Sequence, residues 1–228
     1  MGLRQTLPPA VEPLSLIDAK AHLRVDVTDD DALILGLISA ARYAAENLCR
    51  RVMVTQSWEL TLDGFPRRLF NGAFVTYAVY EQVVPNLQQL QTGYAVRFRA
   101  GKIELPFAKL QSVDYIKYKD PVTGILTTLD PSLYIVDLNG DNQPGIVAPA
   151  YGTYWPDAMS VLNSVLIGFT SGYGNASAVP EGIKAWMKIW IATLYENRES
   201  VAILARGKVE PLAYVDRLLD PYTVAYLA

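Results

Sequence analysis

Apolar positions in this chain recur at helical spacing, then at alternate residues, then at helical spacing again. Residues Met1–Pro13 read as an extended leader in which Pro8, Pro9 and Pro13 block a helix. Leu14-Ser15-Leu16-Ile17 then opens a short helix. Ser15 is placed to cap it, Asp18 suits the positive end of its first turn, and Leu16, Ala19 and Leu23 share one face before it ends near Val25. A second helix is predicted from Thr28-Asp29-Asp30-Asp31 to about Arg51, with Ile34, Leu37, Ile38, Ala41, Ala45 and Leu48 at intervals of a helical face. Arg50 and Arg51 fall in its last turn, where cations complement the helix dipole.

From Val52 the period changes to two. Val54, Gln56, Trp58, Leu60 and Leu62 alternate with Thr55, Ser57, Glu59, Thr61 and Asp63 as one strand, closed by Asp63-Gly64. Further short strands are predicted at Phe74–Tyr80, Tyr94–Phe98, Lys102–Leu105, Val113–Lys119, Ile125–Thr128, Tyr134–Asp137, Ile146–Pro149 and Val161–Thr170. Asp120–Gly124 reads as a hairpin loop and Asn139–Asn142 as a turn, and such punctuation points to an antiparallel sandwich or barrel. After Gly172-Tyr173-Gly174 the helical period returns. Pro180 and Glu181 suit a helix start, and Ile183, Trp186, Met187, Trp190, Ile191 and Leu194 form an apolar stripe predicted to be bundle core, Trp190 included. A short helix over Pro211–Leu219 ends before Pro221. Neither helical half could bury its stripe alone, so the expected fold is α+β. The N-terminal part of a helical bundle spans 1–53, an inserted antiparallel β-rich domain, sandwich- or barrel-like, spans 54–172, and the C-terminal part of the bundle with a docking tail spans 173–228.

Composition supports a packed protein. Of 228 residues, 51% are apolar and 19% charged, which is enough to bury a core. The 14 Tyr and 14 Pro suit β-structure with ordered turns and tyrosine-rich contact surfaces. A net charge of −3 argues against a dedicated nucleic-acid binder, which normally carries a basic surplus. A single cysteine, Cys49, cannot form a disulfide within the chain and reads as a packing residue. Met1–Pro9 lacks the pattern of a signal peptide, and the longest apolar runs, near Ala32–Ala41 and Val161–Phe169, fall short of the ~18 residues that cross a bilayer. The expectation is a soluble protein folded in a cytoplasm, with no membrane partner.

The candidate chemistry is thin. A nucleophile triad would have to use His22, the only histidine, and no G-x-S-x-G turn is present. One histidine and one cysteine do not make the usual zinc sets. Asp137-Leu138-Asn139-Gly140-Asp141 begins like a calcium loop but has Asn142 at the sixth position and Ala148 at the twelfth. Asp29-Asp30-Asp31 reads as a helix start, and Gly172-Tyr173-Gly174 lacks the third glycine of a dinucleotide loop. No catalytic residue, metal or cofactor is expected.

Four segments together carry a resemblance. They are LSLIDAKAHLRV at Leu14–Val25 with the following Asp29-Asp30-Asp31, and AARYAAENLCRR at Ala40–Arg51 running into Val54–Trp58. The other two are Ile103–Pro106 with VDYIKYKD at Val113–Asp120, and FTSGY at Phe169–Tyr173 with Val179–Ala185 and LYENRE at Leu194–Glu199. In this order and spacing the chain resembles the head–tail connector proteins of long-tailed bacteriophages. The segment Pro66–Ala100 is longer than the pattern, and the region after Ser200 matches poorly. The resemblance implies a non-enzymatic virion protein, assembled in the host bacterial cytoplasm, that forms a homo-oligomeric ring with the portal's twelvefold symmetry. Such a ring would sit beneath the portal protein, extend the channel through which DNA passes, and receive a stopper or tail-completion protein. Candidate interface residues are Tyr195, Glu196, Arg198 and Glu199 at a helix end, and Tyr222, Val224, Tyr226 and Leu227 in an apolar tail expected to be mobile until it docks on a partner. A β-sandwich virion module that binds carbohydrate or a receptor is the alternative; it would use the Trp and Tyr content but leave the helices at both ends unexplained.

Overall fold

The computed structural model describes residues 2–66, 98–99, 101–197 and 213–224. The leader is not a free arm: Gly2–Leu7 is strand β1, paired antiparallel with β2 (Gln56–Leu62). Helix α1 (Leu16–Leu23) starts where its sequence places it, with the Ser15 hydroxyl accepting from the Asp18 N–H at 3.1 Å. Helix α2 (Asp31–Cys49) buries Ile34, Ile38, Ala41, Ala45 and Cys49. Both helices end on an arginine in the left-handed region, Arg24 at φ 57° and Arg50 at φ 54°. Helix α3 (Glu181–Glu196) buries Ile183, Trp186, Met187 and Ile191 against α1 and α2, and the short α4 (Ala213–Asp216) follows.

The β part consists of two antiparallel sheets. The strands not yet given are β3 (Phe98–Arg99), β4 (Lys102–Glu104), β5 (Leu110–Lys119), β6 (Leu126–Thr128), β7 (Tyr134–Asp137), β8 (Ile146–Pro149) and β9 (Val165–Ser171). One sheet has the order β1-β2-β9-β5-β6, the other β3-β4-β8-β7. The strands expected at Lys102–Leu105, Val113–Lys119, Ile125–Thr128, Tyr134–Asp137, Ile146–Pro149 and Val161–Thr170 therefore form, with shifted ends. The strand expected at Phe74–Tyr80 and most of that at Tyr94–Phe98 lie outside the described residues. The sheets share one apolar core: Leu60, Leu62, Ile116, Val165, Ile167 and Phe169 from the first meet Ile103 and Val147 from the second. A second core belongs to the helices and takes in Met53, Val54, Val179 and Leu219.

By length and mean hydropathy, 1.2, α2 would pass as a membrane span, a property that its short apolar run had not suggested. Its packing makes it the central helix of the bundle, with Arg42 and Glu46 both buried on it.

Candidate interaction surfaces

Arg42 and Glu46 are one helical turn apart, and both turn inward. The Arg42 guanidinium donates to Glu46 Oε2 at 2.9 Å and, through Nε, to Glu12 Oε2 at 2.8 Å. Glu46 Oε1 accepts from the Met53 N–H at 3.1 Å and from Gln56 Nε2 at 2.8 Å. Gln56 Oε1 in turn accepts from Gln5, and Glu12 Oε1 from Ser39. Burial holds the Glu46 carboxyl above its usual range, and Arg42 and the amide donors pull it part of the way back. This network ties β1, α2 and β2 together. It also uses up every charged residue of α2 after Asp31. The helix consequently turns an uncharged surface to solvent: Ala32, Leu33, Leu35, Gly36 and Tyr43 are exposed. Helices on the surface of a globular protein normally show the opposite pattern, with charge outside and apolar residues inside.

A second polar cluster sits where β9 enters the bundle. Arg51, expected in the last turn of the second helix, lies just past the end of α2 and is fully buried. It donates to the Tyr173 hydroxyl and, at 2.9 Å, to Asn142 Oδ1. Asn142 Nδ2 donates to the Pro221 carbonyl at 3.3 Å, so the β7–β8 loop and the C-terminal segment are clamped to one arginine. Gly172-Tyr173-Gly174 forms this junction: the Tyr173 N–H donates to Met53 O at 3.0 Å and the Thr55 N–H to Gly174 O at 2.9 Å. Gly172 is at φ 127°, and a Cβ there would come within 2.7 Å of the Val54 carbonyl.

The C-terminal tail is seated on its own bundle as far as it is described. Leu219 and Val224 are buried, and the Val224 N–H donates to the Cys49 carbonyl at 3.0 Å. The Tyr222 ring lies over Gly182, where a Cβ would meet its hydroxyl oxygen at 2.9 Å. At the other end of α3, Tyr195 is half-buried and its hydroxyl donates to Asp30 Oδ2 at 2.5 Å, while Glu196 is exposed. With 1.5 Å per residue, about 20 Å of helix separates Tyr195 from the Gly182–Tyr222 contact. The candidate interface residues are thus split between two ends of the bundle. Arg198, Glu199, Tyr226 and Leu227 lie outside the described residues. Arg42, Glu46, Arg51 and Asn142 were not among the candidate interface residues, since nothing local distinguishes a polar residue that turns inward from one that faces water.

No group of three or more His, Cys, Asp or Glu side chains gathers among the described residues. His22 is exposed, and the turn at Asp137–Asp141 has the Asn139 N–H donating to the Asp137 carboxylate at 3.0 Å. Cys49 is buried, and burial pushes its thiol up to about 12.

Residues 13–96, which include α1, α2 and β2, match the family model described as phage gp6-like head-tail connector protein. The whole chain is similar in fold to chains of three solved particles. One is the neck of an empty GTA particle computed with C6 symmetry, at 19% identity and a TM-score of 0.69, covering 100% of this chain and 98% of that one. Another is the virion of a native gene transfer agent (GTA) particle, at 19% identity and a TM-score of 0.68, with the same coverage. The third is the neck of a native GTA particle computed with C12 symmetry, at 16% identity and a TM-score of 0.61, covering 99% and 97%. None of the curated proteins matches the chain. The matched residues 13–96 hold the uncharged face of α2, the Arg42–Glu46 pair and Arg51.

Proposed function

We propose that this chain is a structural, non-enzymatic subunit of a virion neck: an adaptor that joins head to tail as a ring of identical copies. The observation that carries the reading is the uncharged outer face of α2, within the residues that match the connector family model. A ring subunit needs two complementary surfaces, and a helix that sends its own charges inward offers one of them to a neighbouring copy. The full-length likeness in fold to chains of GTA neck particles supports the same placement. In this role the ring lies beneath the portal protein, carries the DNA channel onward and receives a stopper or tail-completion protein. It matches the portal's twelvefold symmetry and is assembled in the host bacterial cytoplasm. The bundle, 1–53 with 173–228, builds the ring, and the 54–172 insertion extends from it. Tyr195 and Glu196 at one end of α3 are candidate portal contacts, together with Arg198 and Glu199, and Tyr226 and Leu227 continue past the anchored Tyr222 and Val224.

The test is native mass measurement and electron microscopy of the protein alone and mixed with a portal ring. A discrete ring, formed alone or on the portal, is expected. Leu33→Asp combined with Tyr43→Asp should abolish it while leaving the monomer folded. A monomer that ignores the portal under all conditions would sink the adaptor reading.

A further inference from the structure

Between Lys119 and Lys184 the chain has no lysine, arginine or histidine, yet it carries Asp120, Asp130, Asp137, Asp141, Asp157 and Glu181. Strands β6 to β9 and their loops come from this stretch. Among the described residues, Asp141 meets a cation, Lys109, at 2.9 Å, whereas Asp130 accepts from the backbone N–H and the side chain of Ser132, and Asp137 from the Asn139 N–H. Those two aspartates flank and end β7.

Among the described residues, strand β7 is the last strand of its sheet. Pro149, which has no N–H, stands opposite Tyr134, and the Leu133 carbonyl accepts from the Ala150 N–H at 3.0 Å. The alternation of an antiparallel ladder then turns the backbone groups of Ile135 toward β8 and those of Tyr134 and Val136 toward the open edge. No lysine or proline interrupts β7, the usual devices by which a sheet edge is protected from pairing with another chain. Its exposed positions are Ile135 and Asp137, and apolar groups surround them. Leu133 and Ile135 are 41% and 54% exposed, and the loop after β8, held to Leu133 by Thr153 Oγ1 at 3.2 Å, adds Tyr151 and Tyr154 at 102% and 75%. Lys102, the nearest described basic residue within this sheet, lies on β4, two strands away.

From this combination we infer that β7 is a docking edge for an extended segment of another protein, added as a further antiparallel or parallel strand and carrying alternate basic and aliphatic side chains. The open backbone groups supply hydrogen bonds, Ile135 and the tyrosines supply apolar contact, and Asp130 and Asp137 select positive charge. A polyanion such as DNA is repelled by the same surface. The inference stands on β7 and its surroundings and does not depend on the adaptor reading.

The experiment uses the full chain and two synthetic peptides, one alternating Lys with Val and one alternating Glu with Val. In amide-resolved spectra at low salt, the Lys peptide should shift and protect Tyr134 and Val136. The Glu peptide should bind at least tenfold more weakly, and Lys-peptide binding should weaken as salt is raised to ~0.5 M, where charge attraction is screened. Ile135→Lys with Asp137→Lys, both at exposed positions, should keep the melting temperature and weaken the Lys peptide at least tenfold; Ile135→Ser with Asp137→Ser is the second variant should the first lose stability. Absence of Lys-peptide binding, equal binding of both peptides, or shifts confined to other strands would each overturn the inference.

Discussion

At the scale of single residues, the pair Arg42–Glu46 places two charged side chains in the core. Removing one partner leaves the other charge without compensation in the core. Arg42→Ala should therefore cost about 3–5 kcal/mol in urea unfolding, and a cost under ~1 kcal/mol would show that water reaches Glu46. Exposed aspartates give a different signature. The carboxylate of Asp120 accepts from the Val122 and Thr123 N–H groups at 2.9 and 2.8 Å, and these bonds hold it below its ordinary value of 3.8. A lowered acid contributes to stability above its unfolded value, and the contribution is lost as pH falls through the folded one. The amide resonances of Val122 and Thr123 should therefore titrate with a midpoint below 3.8. A midpoint at or above that value would mean that the loop is not held by Asp120.

Among the elements, α3 shows how periodicity names a face without ranking its members. Its stripe includes Trp186 and Trp190, stacked with ring centroids 6.0 Å apart. Trp186 is fully buried and donates from Nε1 to Asp216 Oδ1 at 3.0 Å, whereas Trp190 is half-buried. Trp186→Ala should cost about 3–5 kcal/mol, since it opens a cavity and removes the hydrogen bond to Asp216. Trp190→Ala should cost clearly less, and chemical denaturation of the two variants gives the order directly. Strands follow the same logic. Tyr134–Asp137 and Ile146–Pro149 form where their alternation places them. The leader became β1 because a proline-bounded extended segment carries free backbone groups that β2 can satisfy.

Across the whole molecule, the C-terminal segment links bundle and sheets. Its first residues are held by Cys49, Gly182 and Asn142, so they belong to the folded subunit before any partner arrives. A chain ending at Asp220 should lose about 2–4 kcal/mol, the burial of Val224 and part of Tyr222 plus one backbone hydrogen bond. Thermal melts of the full and shortened chains test this. Equal melting temperatures would show that the segment's contacts contribute nothing to the subunit's own stability.

The sequence by itself determined the order helix, β, helix, most strand positions, the Ser15 cap, and the connector resemblance, because each rests on local spacing and turn chemistry that neighbours in the chain already contain. Only the tertiary structure decided which charges turn inward. Arg42, Glu46 and Arg51 look like surface residues in any window of sequence, and their partners, Glu12, Gln56, Asn142 and Tyr173, come from other elements. The same holds for the free edge of β7 and the seat of Val224, since an edge exists only once strand order is fixed, and a groove only once α2 and α3 have packed. Burial is a property of the assembled layers, so the surfaces left over for partners could be read only after the fold had used the rest.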